Sequence, residues 1–315
     1  MNIVQAPRAS AILYNLLESQ GRVDPWLLPA NICPIVPITF FKAGVPFEFV
    51  DISVETLHMD LEQAEERLER GAFGGVLYAH TYGEPSTPED FFQHVKAHFP
   101  NVLLVDDRCL CVPDLDPPQK LSADVTLYST GYAKIVELDF GGYAFMSEHV
   151  AYQREHLPFT PKALEETEKE YKQAIQAPTP FVYNDRDWLQ TDSNLPAWYD
   201  YRQQMEARLR APLEHRLEIN EIYANGLPLE IQLPKEYQTW RFNLRVQNRD
   251  QILAAIFASD TFASAHYASL AGIMAPGQCP QAETLARGIV NLFNDHHFDL
   301  HKAEGVCAVI MENLE

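Results

Sequence analysis

Along the first half of the chain, stretches with apolar residues at helical spacing alternate with short, unbroken apolar runs. Ser10 to Ser19 (SAILYNLLES) has the helical pattern, with Ser10 near its N-terminus as a candidate cap. Trp26 to Pro29 is a short apolar run, Asn31 to Lys42 reads as a mostly buried helix, and Pro46 to Ile52 (PFEFVDI) alternates like a strand. Asp60 to Arg70 is a charged amphipathic helix, and Gly75 to Tyr78 a buried strand. Thr87-Pro88-Glu89 offers a hydroxyl cap, a proline for the first turn and an acid favoured by the helix dipole, which predicts a helix to about His98. Asn101 to Val105 (NVLLV) is apolar enough to be buried on both faces, as parallel strands are. Helices separating such strands make β-α-β units, hence an α/β fold with a mostly parallel sheet flanked by helices.

Around Met146 to Tyr152 the character changes. Ala163 to Gln176 reads as a charged helix, followed by a stretch rich in proline and aromatics from Pro178 to Asp200. Then come a helix from about Tyr201 to Tyr223, a strand at Thr239 to Val246 (TWRFNLRV), and helices at Arg249 to Ser259 and Gln281 to Phe293. The expectation is a large α/β domain over residues 1–150 and a smaller α+β domain over residues 151–315.

Charge narrows the classes of partner. Twenty-four basic against 44 acidic residues give a net charge of −20, which argues against a nucleic-acid backbone or an anionic lipid surface. The five cysteines are odd in number and scattered, and Cys109 and Cys111 stand too close for a C-x-x-C motif, so reduced thiols in a cytoplasmic protein are expected. Residues Met1 to Arg8 lack the pattern of a signal peptide, and no stretch approaches the length of a membrane-spanning helix. His296, His297 and His301 (DHHFDLH) lack a fixed ligand frame, and no metal site is expected there. The cluster of Trp188, Trp198 and Trp240 with Tyr183, Tyr199 and Tyr201 reads as core.

The chemistry concentrates between Asp106 and Gly142. The NVLLV strand ends in Asp106-Asp107, and ligands of open parallel sheets sit beyond the carboxyl ends of the strands. After the short strand Val125 to Tyr128 comes Ser129-Thr130-Gly131-Tyr132-Ala133-Lys134, then Gly141-Gly142. His80, in His80-Thr81-Tyr82-Gly83-Glu84-Pro85, follows another strand end. Together with Leu28-Pro29-Ala30-Asn31, the run Ala43 to Ile52, the Ser10 helix and Ala265-His266-Tyr267, these segments resemble, in order and spacing, the DegT/DnrJ/EryC1/StrS family of pyridoxal-phosphate (PLP) aminotransferases.

That resemblance implies a fold-type I enzyme that moves an amino group from an amino acid, glutamate being the expected donor, to a keto-sugar, with nucleotide linkage expected. It implies that Lys134 links covalently to the cofactor and shuttles a proton, and that Asp107 faces the pyridine nitrogen. Ser129, Ser10 and the backbone at Ala9 would meet the phosphate. Cys33 takes the place of an aromatic that stacks on the ring, and His80 would line the pocket. A homodimer is implied. Family members carry a few tens of residues before the phosphate helix, so the resemblance also implies an altered substrate mouth here. Leu110 stands for the family's Gln, Arg108 and Cys109 for small residues, and Phe140 for a Glu. Arg108 either crowds the ring or points away. The alternatives are a fold relative without turnover that acts as a binding or regulatory subunit, and a PLP enzyme with other amino-acid chemistry.

Overall fold

The computed structural model describes residues 1–21 and 24–314. Its elements in chain order begin with β1 (Asn2–Ala6), α1 (Ala9–Gln20), β2 (Trp26–Pro29), α2 (Ile35–Ala43), β3 (Phe47–Val50) and α3 (Leu61–Arg70). β4 (Gly75–Ala79), α4 (Glu89–His98), β5 (Leu103–Asp107), β6 (Val125–Ser129) and β7 (Gly142–Met146) complete a seven-stranded sheet of order β1-β7-β6-β5-β4-β2-β3. The pairs from β6 through β5, β4 and β2 to β3 are parallel, whereas β7 runs antiparallel to both β6 and β1. Every residue of β2, β4 and β7 is buried, and β2 and β4 accordingly read as continuous apolar runs rather than alternating ones.

The second half supplies α5 (Pro161–Gln176), α6 (Trp198–Ala207), α7 (Arg210–Gly226), β8 (Phe242–Arg245), α8 (Arg249–Ala258), β9 (Ala263–Ser264), α9 (Pro280–Gly288), β10 (Ile289–Leu292) and α10 (Leu300–Asn313). β8, β10 and β9 form a three-stranded antiparallel sheet in that order. Its core joins Ile219 and Tyr223 of α7, Ile252 and Ile256 of α8, and Val306 and Ile310 of α10. The core of the large sheet takes in Tyr171, Trp188, Leu270 and Leu285 as well as the first half of the chain.

Four local readings change. The helix expected over Gln281 to Phe293 stops at Gly288, and Ile289 to Leu292 is the central strand of the small sheet. A side chain at Gly288 would meet the Val246 carbonyl at 2.8 Å, so the close approach of β8 needs glycine where the chain turns from helix to strand. The helix expected over Tyr201 to Tyr223 is two, broken at Arg208 and Leu209. Thr87 does not cap α4: Pro88 holds that position and the threonine hydroxyl accepts from Arg108 instead. Ser10 is not the cap of α1 either, because Arg8 is, and no side chain caps this helix. β1, β7 and α10 lie outside the patterns that announce the other elements. Among the described residues no helix is long and apolar enough to cross a membrane.

Candidate active site

A cavity of about 530 Å³ opens beyond the carboxyl ends of β5 and β6, bounded on one side by the start of α1. Asp107 ends β5, in register with Ala79 of β4 and Leu127 of β6. It is only 8% exposed, its Oδ1 accepts from the Cys109 backbone N–H at 3.0 Å, and the weakly donating Cys109 thiol also meets the carboxylate, which keeps acceptor capacity to spare. Lys134 lines the same cavity, and among the described residues its Nζ makes no hydrogen bond or ion pair. An amine and a carboxylate left with open valences in one half-enclosed space mark a binding site rather than a structural ion pair.

The backbone around Lys134 is held from the second half of the chain. Ala133 adopts φ 58°, and its carbonyl accepts from the Trp240 indole at 2.8 Å. The Lys134 carbonyl accepts from the Arg216 guanidinium at 3.3 Å. Thus the loop is fixed while the amine stays free.

The two glycines after the lysine have separate reasons. Gly141 has φ 95°, and a Cβ there would meet Thr130 Oγ1 at 2.8 Å besides striking the Tyr201 hydroxyl. Gly142 begins β7, and a Cβ on it would lie 2.6 Å from Ala9 Cα. Only glycine lets the first turn of α1 settle onto the strand, which brings Ala9 and Ser10 to the cavity wall. Ser129 stands opposite on β6 and accepts from the Gly131 N–H at 3.4 Å. The Ser10 hydroxyl has no partner among the described residues.

Beneath the cavity lies a polar network. His80 is 1% exposed; its Nδ1 is 2.7 Å from the Glu84 carbonyl and its Nε2 is 2.6 Å from Asp106 Oδ1. Asp106 Oδ2 accepts from Arg108 Nε at 2.8 Å, and Arg108 also donates to the Pro85 carbonyl and Thr87. Arg108 therefore points away from the cavity. Burial alone would push the Asp106 carboxyl up, but His80 and Arg108 outweigh it and hold it below the usual range. His80, with both ring nitrogens engaged, borders a smaller adjoining cavity that Cys33, Asp107 and Lys134 also line.

His58 sits beside this network, 2% exposed, 3.8 Å from Glu84 and 3.3 Å from the Thr81 carbonyl, against the rings of Tyr78, His80 and Tyr237. Burial, reinforced by repulsion from His80, lowers it from 6.5 to about 4, against the pull of Glu84. A neutral buried histidine that charges in the unfolded chain stabilises the fold above about pH 6.5, and that contribution is lost as pH falls toward about 4. The full swing is on the order of 3 kcal/mol. Thermal unfolding between pH 7.5 and 4.5 should therefore be shallower for His58→Gln than for wild type. Equal slopes would remove His58 from the account.

Cys33, Cys109 and Phe140 also line the main cavity, Phe140 stacked on Tyr201 at 5.8 Å. Leu110 borders only the smaller one. The mouth is completed by Arg8, Gln190, Ser193 and Asn194, which no motif singles out. Arg8 was the one cationic signal available beside the α1 pattern; the other three come from the proline-rich stretch, whose path no periodicity predicts.

A mostly parallel sheet, a strand-end carboxylate, a loop lysine and a helix N-terminus thus surround one cavity. No family model matches the sequence, and no curated protein matches it. Solved structures do. A DegT DnrJ EryC1 StrS aminotransferase from Brucella abortus superposes with a TM-score of 0.69 at 15% identity, covering 99% of this chain and 86% of that one. PseC of Helicobacter pylori, an aminotransferase of pseudoaminic acid biosynthesis, gives 0.72 at 11% identity, covering 100% and 87%. A Streptococcus pneumoniae protein described as a sugar aminotransferase, in its PLP form, gives 0.69 at 16% identity, covering 99% and 88%. The chain has the fold of these proteins.

Proposed function

We propose that this chain is a PLP-dependent aminotransferase that takes an amino group from an amino acid, glutamate in the first instance, and delivers it to a keto-sugar carried on a nucleotide. The observation that carries the reading is the Lys134 amine, without a hydrogen bond among the described residues, in one cavity with the Asp107 carboxylate and the uncapped start of α1. The same three parts meet the cofactor in the family that the sequence resembles. The solved PLP form with this fold supports the cofactor assignment.

The residues fit the group. When bound, PLP supplies an electron sink beside the reacting carbon. Lys134 Nζ, without a hydrogen bond among the described residues, would be the base that accepts and returns the substrate proton. Asp107 would face the ring nitrogen and keep it protonated, and its Oδ1 bond to Cys109 keeps the carboxylate oriented. Ser10, Ser129 and the first turn of α1 take the phosphate, where N–H groups and dipole favour an anion. Cys33, which lines the cavity, would set a thiol beside the ring where the family has an aromatic. His80, on the adjoining smaller cavity with Asp107 and Lys134, would line the cofactor's pocket, and its Nε2 fixes Asp106. At the mouth, Arg8 is a cation for an anionic substrate in an otherwise acidic protein. A homodimer is part of the same proposal.

L-Glutamate added to the PLP-loaded protein should convert the cofactor to its amine form, read as loss of the long-wavelength absorption and release of 2-oxoglutarate. Cofactor binding without conversion by glutamate or any other amino acid would sink the aminotransferase reading. It would favour the silent binding subunit.

A further inference from the structure

The loop that carries Lys134 continues to Glu137, and there it meets the turn between β10 and α10. A carboxylate oxygen of Glu137 and one ring nitrogen each of His296 and His297 all lie within 4.8 Å of one another. The two imidazoles face each other with centroids 3.9 Å apart. Among the described residues none of the three donor groups has a hydrogen bond or ion pair. Their backbones, by contrast, are tied down. The Glu137 carbonyl accepts from Arg208 at 3.2 Å, the His297 N–H donates to Asp295 at 3.1 Å, and the His297 carbonyl accepts from Lys302 at 3.2 Å. Three metal-competent side chains are thus converged by anchored backbone and left without protein partners.

We propose that Glu137, His296 and His297 bind a divalent transition cation of the Zn²⁺ or Ni²⁺ class. Bonds of about 2.0–2.1 Å put two donors of one ion at most about 4.2 Å apart, so rotations of the exposed rings by a few tenths of an ångström would close the cage. Two imidazoles and one carboxylate suit borderline cations and follow the order in which Ni²⁺ and Zn²⁺ outbind Mn²⁺. Ca²⁺ and Mg²⁺ are disfavoured, because they need more oxygen donors than one carboxylate supplies. The buried Arg216 guanidinium, close enough to feel the Glu137 charge, disfavours any ion held by charge alone. Three protein donors leave positions for water, so the site is open rather than a closed structural one.

An ion here fastens the Lys134 loop to the three-stranded half, adding to the bonds from Trp240 and Arg216. His301 lies outside the cluster, although the sequence places it with the other two. The pairing with Glu137 spans most of the second half of the chain, which is why DHHFDLH alone showed no ligand frame. The inference stands apart from the proposed activity, since neither cofactor nor substrate takes part in it.

The test is calorimetric titration of the metal-stripped full chain with ZnCl₂, and separately with NiCl₂. Wild type is compared with Glu137→Gln, His296→Ala, His297→Ala and, as control, His301→Ala. One equivalent is expected to bind wild type and His301→Ala alike, with affinity at least about tenfold weaker in the other three. All four side chains lie at the surface or only half-buried, and circular dichroism would verify that each variant folds. No stoichiometric binding to wild type overturns the proposal. So does binding undiminished in Glu137→Gln, or lost equally in His301→Ala.

Discussion

Lys134→Ala should leave the protein folded but abolish the absorption band, near the edge of the visible, that wild type develops on saturation with PLP. Turnover of any amino acid should fall by roughly 10³-fold or more, since among the described residues no second lysine lines the cavity to take its place. Lys134 is the lysine that lines the cavity, and Asp107 shares that wall with it. Its amine makes no bond within the described residues, so truncation leaves no orphaned partner and the fold should be spared. Only the backbone carbonyl takes part in the tertiary network, and alanine keeps it. A band that survives in Lys134→Ala would place the covalent link elsewhere. No band in either protein would mean that the fold has been reused without this chemistry.

Arg216→Ala should destabilise the protein by about 3 kcal/mol, read as a lowered midpoint in urea or heat. Arg216 is 2% exposed, and its Nη1 donates to the Trp240 carbonyl at 2.7 Å and to Asn294, while Nη2 donates to the Lys134 carbonyl. Burial lowers this guanidinium to about 10, with repulsion from Arg241 adding to it and Asp295 opposing. Part of the lost bonding is therefore offset by removing an uncomfortable charge, which keeps the expected loss near the lower end for a buried ionic group. Arg216→Lys should not rescue it, because an ammonium cannot span three acceptors in a planar fork. Since the same side chain holds the Lys134 backbone, turnover should fall in Arg216→Lys even at temperatures where it is fully folded. A fully folded, fully active Arg216→Lys would show that the lysine loop does not depend on this grip.

Much of this protein was legible one segment at a time. The body of α1, the buried runs of β2, β4 and β5, and the amphipathic α3 follow from periodicity. The spacing of Ser129, Lys134, Gly141 and Gly142 was equally readable, and the tertiary structure supplies its cause: the strand end, the held loop and the seat of α1 on β7. Ile289 to Leu292 was misread because three apolar residues and an asparagine (IVNL) after a helical stretch fit either period, and only pairing with β8 and β9 selects the strand. β1 was invisible for the converse reason: at the sheet edge it shows little apolar alternation, and its pairing to β7 joins residues more than a hundred positions apart.

The site divides the same way. Residue identity and spacing marked Lys134 and Asp107, because their backbone positions are set by short-range strand and turn geometry. The direction of Arg108, the engagement of both His80 nitrogens, the mouth from Gln190 to Asn194 and the meeting of Glu137 with His296 and His297 were decided only by the tertiary structure. Each depends on contacts between segments far apart in the chain, and a local pattern carries no record of which distant group a side chain will face.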